Sequence, residues 1–533
     1  MMNKIIIQRV FFILLIGLSM IACQQAQEQS AKNDNEFRAL KDETEFDLVI
    51  LNGRVMDPET NFDGIRNVGV KDGVIGLITK KDISGKRVID ASGHVVAPGF
   101  IDYHSHAQEP YGHKLYVRDG VTTPLDLEVG AFPVNDFYEF WEGKAIVNYG
   151  TNVAHVGARL ALLDGQEPDG RVLYSAAMGR AMNDGSQFKT KLYDPKDEKA
   201  IVDVVEREIK QGAIGIAYPI GYYTVVGSPE IYAVSALAGK YNLPITTHVR
   251  YLSQIPPSGF IGITEMLTIA RENNAPLLIH HVQSNCLGLT GPCLDIIDDA
   301  RANGQKVVGE FYPYQYAGTY VDADYNRPGF EQRMGIKASD YVITATGEHL
   351  TPKKLDSLRV AAPGTNLLMY TMKEEYIMEA FKRPGTIVGS DGMPWIVEGD
   401  ESGFNATFDT PYGAGNGHAR GAGTHARILR MVRETKAITL MEAISKMTYG
   451  PAIFLEDHVP QMKIRGRVQE GSAADITIFN PETVTDNASP KIGENSLPST
   501  GIPYVIVNGH VVVDGSKVQN VPAGVAIRNK TFL

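Results

Sequence analysis

The sequence predicts an α/β chain: a (β/α)8 TIM barrel with a small β-sandwich built from the segments before and after it. Three observations predict this. Between residues 98 and 458, short apolar strands alternate with longer helical stretches. Residues 45–97 and 459–533 carry hairpin texture instead. Histidines and carboxylates recur at the C-terminal ends of the strand candidates, which is where the active sites of such barrels lie.

The 533 residues are too many for one simple core. A net charge of -11 without a Lys/Arg cluster argues against a nucleic-acid partner. Three cysteines are too few for a disulfide scaffold. Cys286 and Cys293 can pair or stay free, and the sequence leaves both open.

Residues 1–22 read as an export signal. Lys4 and Arg9 precede an apolar stretch from Val10 to Ile21, and Ala22-Cys23 follows. This resembles a bacterial lipoprotein signal, in which Cys23 is lipidated and becomes the new N-terminus. Gln24 stands where an Asp typically retains lipoproteins at the inner membrane. The expectation is a lipid-anchored protein of the cell envelope, at the outer membrane facing the periplasm or the exterior. Residues 23–44 are polar and read as a tether.

The first sandwich segment, 45–97, contains Phe46 to Val55, read as strand, turn, strand about Asn52-Gly53. Val68 to Ile78 repeats the pattern about Lys71-Asp72-Gly73. Barrel strand candidates include Gly120-Val121-Thr122-Thr123, 213–217, 245–248, 276–281, 307–311 and 386–391. Helix candidates include 197–211 and 229–240. Residues 325–385 are less patterned and could cover the barrel mouth. The second sandwich segment, 459–533, contains strand candidates at 466–468, 474–479 and 504–513, the last with an Asn508-Gly509 turn.

His104 and His106 follow the apolar run that ends in Pro98-Gly99-Phe100-Ile101-Asp102. Side chains two apart on a strand point the same way, so both imidazoles can reach one ion. His248, His281 and Asp391 end three later strands. Four histidines and one Asp on separate strand tips are hard to explain without metal. His280 and His281 compete for one position, because neighbours on a strand point oppositely.

These residues resemble the amidohydrolase superfamily and, within it, the N-acyl-D-amino-acid deacylases. The matching motifs are Pro98 to Asp102 with His104 and His106; Gly120-Val121-Thr122-Thr123; Gly212-Ala213-Ile214-Gly215; Thr247-His248-Val249-Arg250; Tyr312-Pro313-Tyr314; Gly389-Ser390-Asp391-Gly392; His418-Ala419-Arg420; and Gly471 to Asp475. The resemblance implies one or two zinc ions. Family members hold one zinc with a Cys after the Gly-Val-Thr-Thr strand, and this chain has none there. Glu128 falls beside that slot and is the implied bridging ligand, with Asp126 its rival. The family's Ile-Ser-His aligns His281, not His280, with the ligand.

The resemblance also implies that Asp391 is the general base and then the general acid for amide hydrolysis. Tyr222, Tyr312 and Arg420 match substrate-binding positions. Gln283 stands where the family has a Lys, and His155 lies near a family pocket residue. The implied substrate is a small N-acyl-D-amino acid. The alternatives are a cyclic-amide hydrolase of the dihydroorotase or hydantoinase type, an isoaspartyl dipeptidase-like enzyme, or a decayed lipid-anchored binding protein. Oligomeric state is not legible.

Overall fold

The computed structural model describes residues 45–173, 175–183, 186–397 and 406–530. The export signal, Cys23 and the tether lie outside the described residues. No helix among the described residues is long and apolar enough to cross a membrane.

The chain opens with β1 (Phe46–Asp57), β2 (Phe62–Lys71), β3 (Val74–Thr79), β4 (Gly85–Asp90) and β5 (Val95–Pro98). Asp72 and Gly73 both take positive φ, which makes the tight β2–β3 turn. The Asn52-Gly53 turn expected inside this stretch is absent. β1 runs straight through it, with a register shift between Ile50 and Gly53 against β2. The dipeptide makes a bulge, because Gly53 presses on Val96 so closely that a Cβ would lie 2.3 Å from Val96 Cγ2.

The barrel strands follow: β6 (Phe100–Asp102), β7 (Val121–Ala131), β8 (Gly150–Ala154), β9 (Ile216–Tyr218), β10 (Ile245–Thr247), β11 (Leu277–Ile279) and β12 (Val307–Phe311). Then come β13 (Tyr316–Tyr320), β14 (Tyr341–Ile343) and β15 (Asn366–Tyr370), a small antiparallel sheet of their own. β16 (Ile387–Val388) returns to the barrel, and β17 (Ile396–Val397) pairs with β18 (Gly415–Asn416). β6 to β12 and β16 form one parallel eight-stranded sheet in sequence order, with β6 and β16 at its ends. The ends meet just past the strands. Ser105 bridges Gly392, and His106 N donates to Gly392 O at 2.7 Å. Ser390 N donates to Asp102 Oδ1 at 3.0 Å, which ties the closure to β6.

The chain ends in β19 (Ile476–Phe479), β20 (Tyr504–Val507), β21 (His510–Asp514) and β22 (Lys517–Val518). β19 pairs with β5, so the terminal strands join β1 to β5 in one mostly antiparallel nine-stranded sheet. Part of it buries a cluster of its own, including Leu48, Ile50, Val68, Ile476 and Ile506, while Val95, Phe479, Val505 and Val507 join the barrel's core. Asn508 and Gly509 carry the β20–β21 turn with positive φ. Residues 466–468 are not a strand. Arg467 there is drawn instead to Glu59 and Glu456, at 2.7 and 2.6 Å.

Cys286 and Cys293 form a disulfide between the helices Val282–Cys286 and Thr290–Ala302. The segment 325–385 contains β14 and β15 and reaches the barrel strand ends through one aromatic ring. Its Tyr325 stacks on His248 with ring centroids 6.0 Å apart.

Candidate metal centre

Six side chains from five barrel strands converge. His104 and His106 lie beyond β6, and His248 follows β10. His281 follows β11, and Asp391 lies beyond β16. Glu128 is inside β7, which runs on to Ala131 rather than stopping at Thr123. Asp126 and Glu128 therefore share one face of β7 and reach His106 from two sides.

Asp126 Oδ1 lies 3.1 Å from His106 Nδ1, and Glu128 Oε2 lies 3.1 Å from His106 Nε2. Glu310, at the end of β12, takes His104 Nδ1 at 2.8 Å and also His280 Nδ1. Burial raises the Glu310 carboxyl, but the charges and hydrogen bonds of His104 and His280 hold it far below the usual range. An ionised carboxylate only accepts, so Nδ1 of His104 carries the proton. Its Nε2, buried and without a hydrogen-bond partner, faces the carboxylates of Glu128 and Asp391. Carboxylates that fix the tautomer of a ligand histidine are the usual outer support of metal sites.

His104 Nε2 lies 3.2 Å from Glu128 Oε2 and 3.3 Å from Asp391 Oδ1, and His106 Nε2 lies 3.6 Å from Asp391 Oδ1. Ligands about 2.0–2.1 Å from one tetrahedral ion stand about 3.4 Å from each other. The other carboxylate oxygen, Glu128 Oε1, lies 3.0 Å from both His248 Nδ1 and His281 Nε2. Glu128 thus turns one oxygen to each pair of histidines. Between them, the four histidines, Glu128 and Asp391 could hold one or two divalent cations. Imidazole nitrogens and carboxylate oxygens at these separations are the donor atoms such a cation takes, so the set fits one.

Electrostatics agree. Burial lowers the His104 pKa, but Asp391, Glu310 and Glu128 together raise it well above the usual value. Burial likewise works against His106, and Asp126 and Glu128 carry it up to about 9. Burial raises the Glu128 carboxyl, while the charge of His104 and the hydrogen bonds of three histidines hold it well below normal.

Glycines let these groups approach. A Cβ on Gly389 would lie 2.5 Å from the Glu310 carboxyl carbon, and one on Gly221 would lie 2.3 Å from the His248 ring. Asp391 takes φ +53. It is held by Arg420, whose Nη2 contacts Asp391 Oδ1 at 2.8 Å and whose Nε donates to the Asp391 carbonyl at 2.6 Å. Arg420 is buried over the Tyr312 ring, 4.6 Å from its centroid, and its Nη1 has no hydrogen-bond partner.

Tyr222 packs on His248 with centroids 4.7 Å apart, and burial keeps its phenol protonated. Gln283 donates to Tyr312 O at 3.0 Å, and its Oε1 is buried without a partner. His155 corrects the sequence reading. Both its ring nitrogens are taken, by Tyr223 OH at 3.0 Å and Glu230 at 2.9 Å, inside a network with Arg159. It does not line the cavity beside the cluster. Glu310 is the residue the sequence reading misses. It sits at a strand tip like the others, so the same positional rule would have found it. His280, set aside as a ligand, is Glu310's second partner.

No family model matches the chain. It is 25% identical over 515 residues to an N-acyl-D-glutamate deacylase of Alcaligenes xylosoxydans xylosoxydans, covering 91% of this chain and 97% of the relative. An N-acyl-D-aspartate deacylase of the same organism is 28% identical, covering 81% and 85%. The crystal structure of the N-acyl-D-glutamate deacylase of Bordetella bronchiseptica, complexed with zinc and a phosphonate inhibitor, superposes with a TM-score of 0.73 at 24% identity. It covers 91% of this chain and 100% of that one. The chain's neighbours are N-acyl-D-amino-acid deacylases of the amidohydrolase superfamily. A dihydroorotase of Geotalea daltonii is also related, at 26% identity over 87% of this chain and 99% of the relative.

Proposed function

We propose that the chain is a zinc-dependent hydrolase of a linear amide, removing the acyl group from N-acyl-D-amino acids. The observation that carries this is Glu128, whose two oxygens face two histidine pairs, with Asp391 across from it. His104, His106, His248, His281, Glu128 and Asp391 would hold the metal. A bound zinc lowers the pKa of water and polarises a carbonyl.

The chain's own groups do the rest. Asp391 Oδ1 lies beside the histidine nitrogens, where it can take a proton from the attacking water and return it to the departing amine. An amide needs that second transfer, because an amine anion is a poor leaving group. Tyr222 offers a protonated phenol at the rim, suited to donate to a carbonyl oxygen as charge develops there. Arg420 Nη1 is the donor left for the substrate's α-carboxylate. Tyr325, packed against His248 and Tyr222, keeps water from that side of the cluster.

The relationship to dihydroorotases keeps cyclic-amide hydrolysis as the second reading. Zinc-loaded protein should release free amino acid from N-acetyl-D-amino acids and leave dihydroorotate and hydantoins intact. The reverse preference would favour the cyclic-amide reading. From the signal-like sequence alone, Lys4 to Cys23, we also propose that Cys23 is the lipid attachment that holds the enzyme at the cell envelope.

A further inference from the structure

Beside the cluster lies a cavity floored by His106, Glu128 and Asp391. Its walls include Val156, Leu173, Met178, Phe188, Tyr222 and Tyr320. Tyr222 and Tyr320 stack at 5.6 Å and make one aromatic face. Among the described residues, none that lines it is a lysine or an arginine.

Among the described residues, the cations around it are engaged elsewhere, and the one open donor of Arg420, Nη1, is the one assigned to the α-carboxylate. Arg159 binds Glu230 and the Phe188 carbonyl. Lys189 binds Asp322. Arg250 binds Glu265 and the carbonyls of Thr224 and Val226. Arg180 binds Gln166. Positions 174, 184–185 and 398–405, outside the described residues, contain no lysine or arginine but do contain Asp184, Glu398, Asp400 and Glu401.

From this lining we infer that the substrate group entering the cavity is apolar and uncharged. The enzyme takes N-acyl-D-amino acids with aliphatic or aromatic side chains and discriminates against acidic ones. The inference rests on the deacylase reading and sharpens it. A side-chain carboxylate here would lose its water and gain no cation, next to Glu128 and Asp391. An apolar side chain loses nothing and covers the valine, leucine, methionine and aromatic walls. This sets the chain apart from its relatives named for acidic amino acids.

The test is kcat/KM of the zinc-loaded enzyme on N-acetyl-D-leucine and N-acetyl-D-phenylalanine against N-acetyl-D-glutamate and N-acetyl-D-aspartate. The apolar pair should be favoured by roughly 100-fold or more. Met178→Arg should narrow that gap by raising turnover of the acidic pair. If that variant fails to fold, Leu173→Lys, also half-buried, places a cation in the same wall. Equal or better turnover of the acidic pair by the unaltered enzyme would overturn this inference and leave deacylation standing. No release from any N-acyl-D-amino acid would overturn the deacylase reading and this inference with it.

Discussion

Arg420 and Asp391 form a buried pair, with Nη2 2.8 Å from Oδ1 and Nε 2.6 Å from the Asp391 carbonyl. Arg420 therefore spends one donor on the carboxylate expected to move the proton and another on the same residue's backbone carbonyl. Its own position is fixed by His418, whose Nε2 donates to Tyr316 O at 2.8 Å and whose Nδ1 accepts from Arg420 N at 3.1 Å. The substrate carboxylate would meet Nη1. Arg420→Ala should thus reduce kcat as well as raise KM, with kcat/KM on an N-acyl-D-amino acid down tenfold or more. That loss corresponds to about 1.5–3 kcal/mol for a charge-assisted bond. Arg420→Lys should not rescue it, since an ammonium cannot reproduce the fork. Steady-state kinetics that match the unaltered enzyme would remove Arg420 from both roles.

Asp391→Asn tests the proton path. Hydrolysis should fall by roughly 100-fold or more while most of the metal is retained, because the histidines and Glu128 remain. Turnover near the unaltered level, with metal bound, would assign the proton transfer to another group.

Glu128 faces both histidine pairs, so Glu128→Ala should lower total metal content rather than remove one class of site. Glu310→Gln should act differently. It leaves every proposed ligand in place but no longer enforces the Nδ1–H tautomer of His104, and metal affinity should fall roughly 10–100-fold. Competition with a chromophoric chelator measures both variants. Unchanged metal content in Glu128→Ala would rule out the bridge.

Much of this site was legible because its logic is local. His104 and His106 are two apart after an apolar strand, and His248, His281 and Asp391 each end one. Glu128 needed the resemblance, since nothing in its neighbourhood marks β7 as running on to Ala131. The pairing of Glu310 with His104 joins residues 206 positions apart, and only closure of the barrel brings them together. Tyr325 reaches His248 from a segment with no periodicity to read. Asn52-Gly53 carried a hairpin signal, yet packing against Val96 made it a bulge, where tertiary contact outweighed local preference.

Acid stability reports on the His155 network. Burial raises the Glu230 carboxyl, but the hydrogen bonds and charges of His155 and Arg159 bring it down to about 2 from the usual 4.5. A depressed carboxylate stabilises the fold above pH 4.5, and that contribution is lost as pH falls from 4.5 through 2. It amounts to about 3 kcal/mol. Glu230→Gln should lower stability at pH 7 and flatten the acid limb of chemical denaturation across that window. An unchanged limb would mean the network does not stabilise the fold.

Cys23→Ser should yield a protein that leaves membrane fractions, because it removes the proposed lipid attachment site. Fractionation that finds the variant still membrane-bound with an intact N-terminus would favour an uncleaved anchor instead.

The most direct measurement is the release of free amino acid from matched N-acetyl-D-leucine and N-acetyl-L-leucine, by one preparation assayed zinc-loaded, chelator-stripped and reloaded. The account predicts release from the D enantiomer alone, abolished by stripping and restored by zinc. Equal rates on both enantiomers, or full activity in the stripped protein, would contradict it.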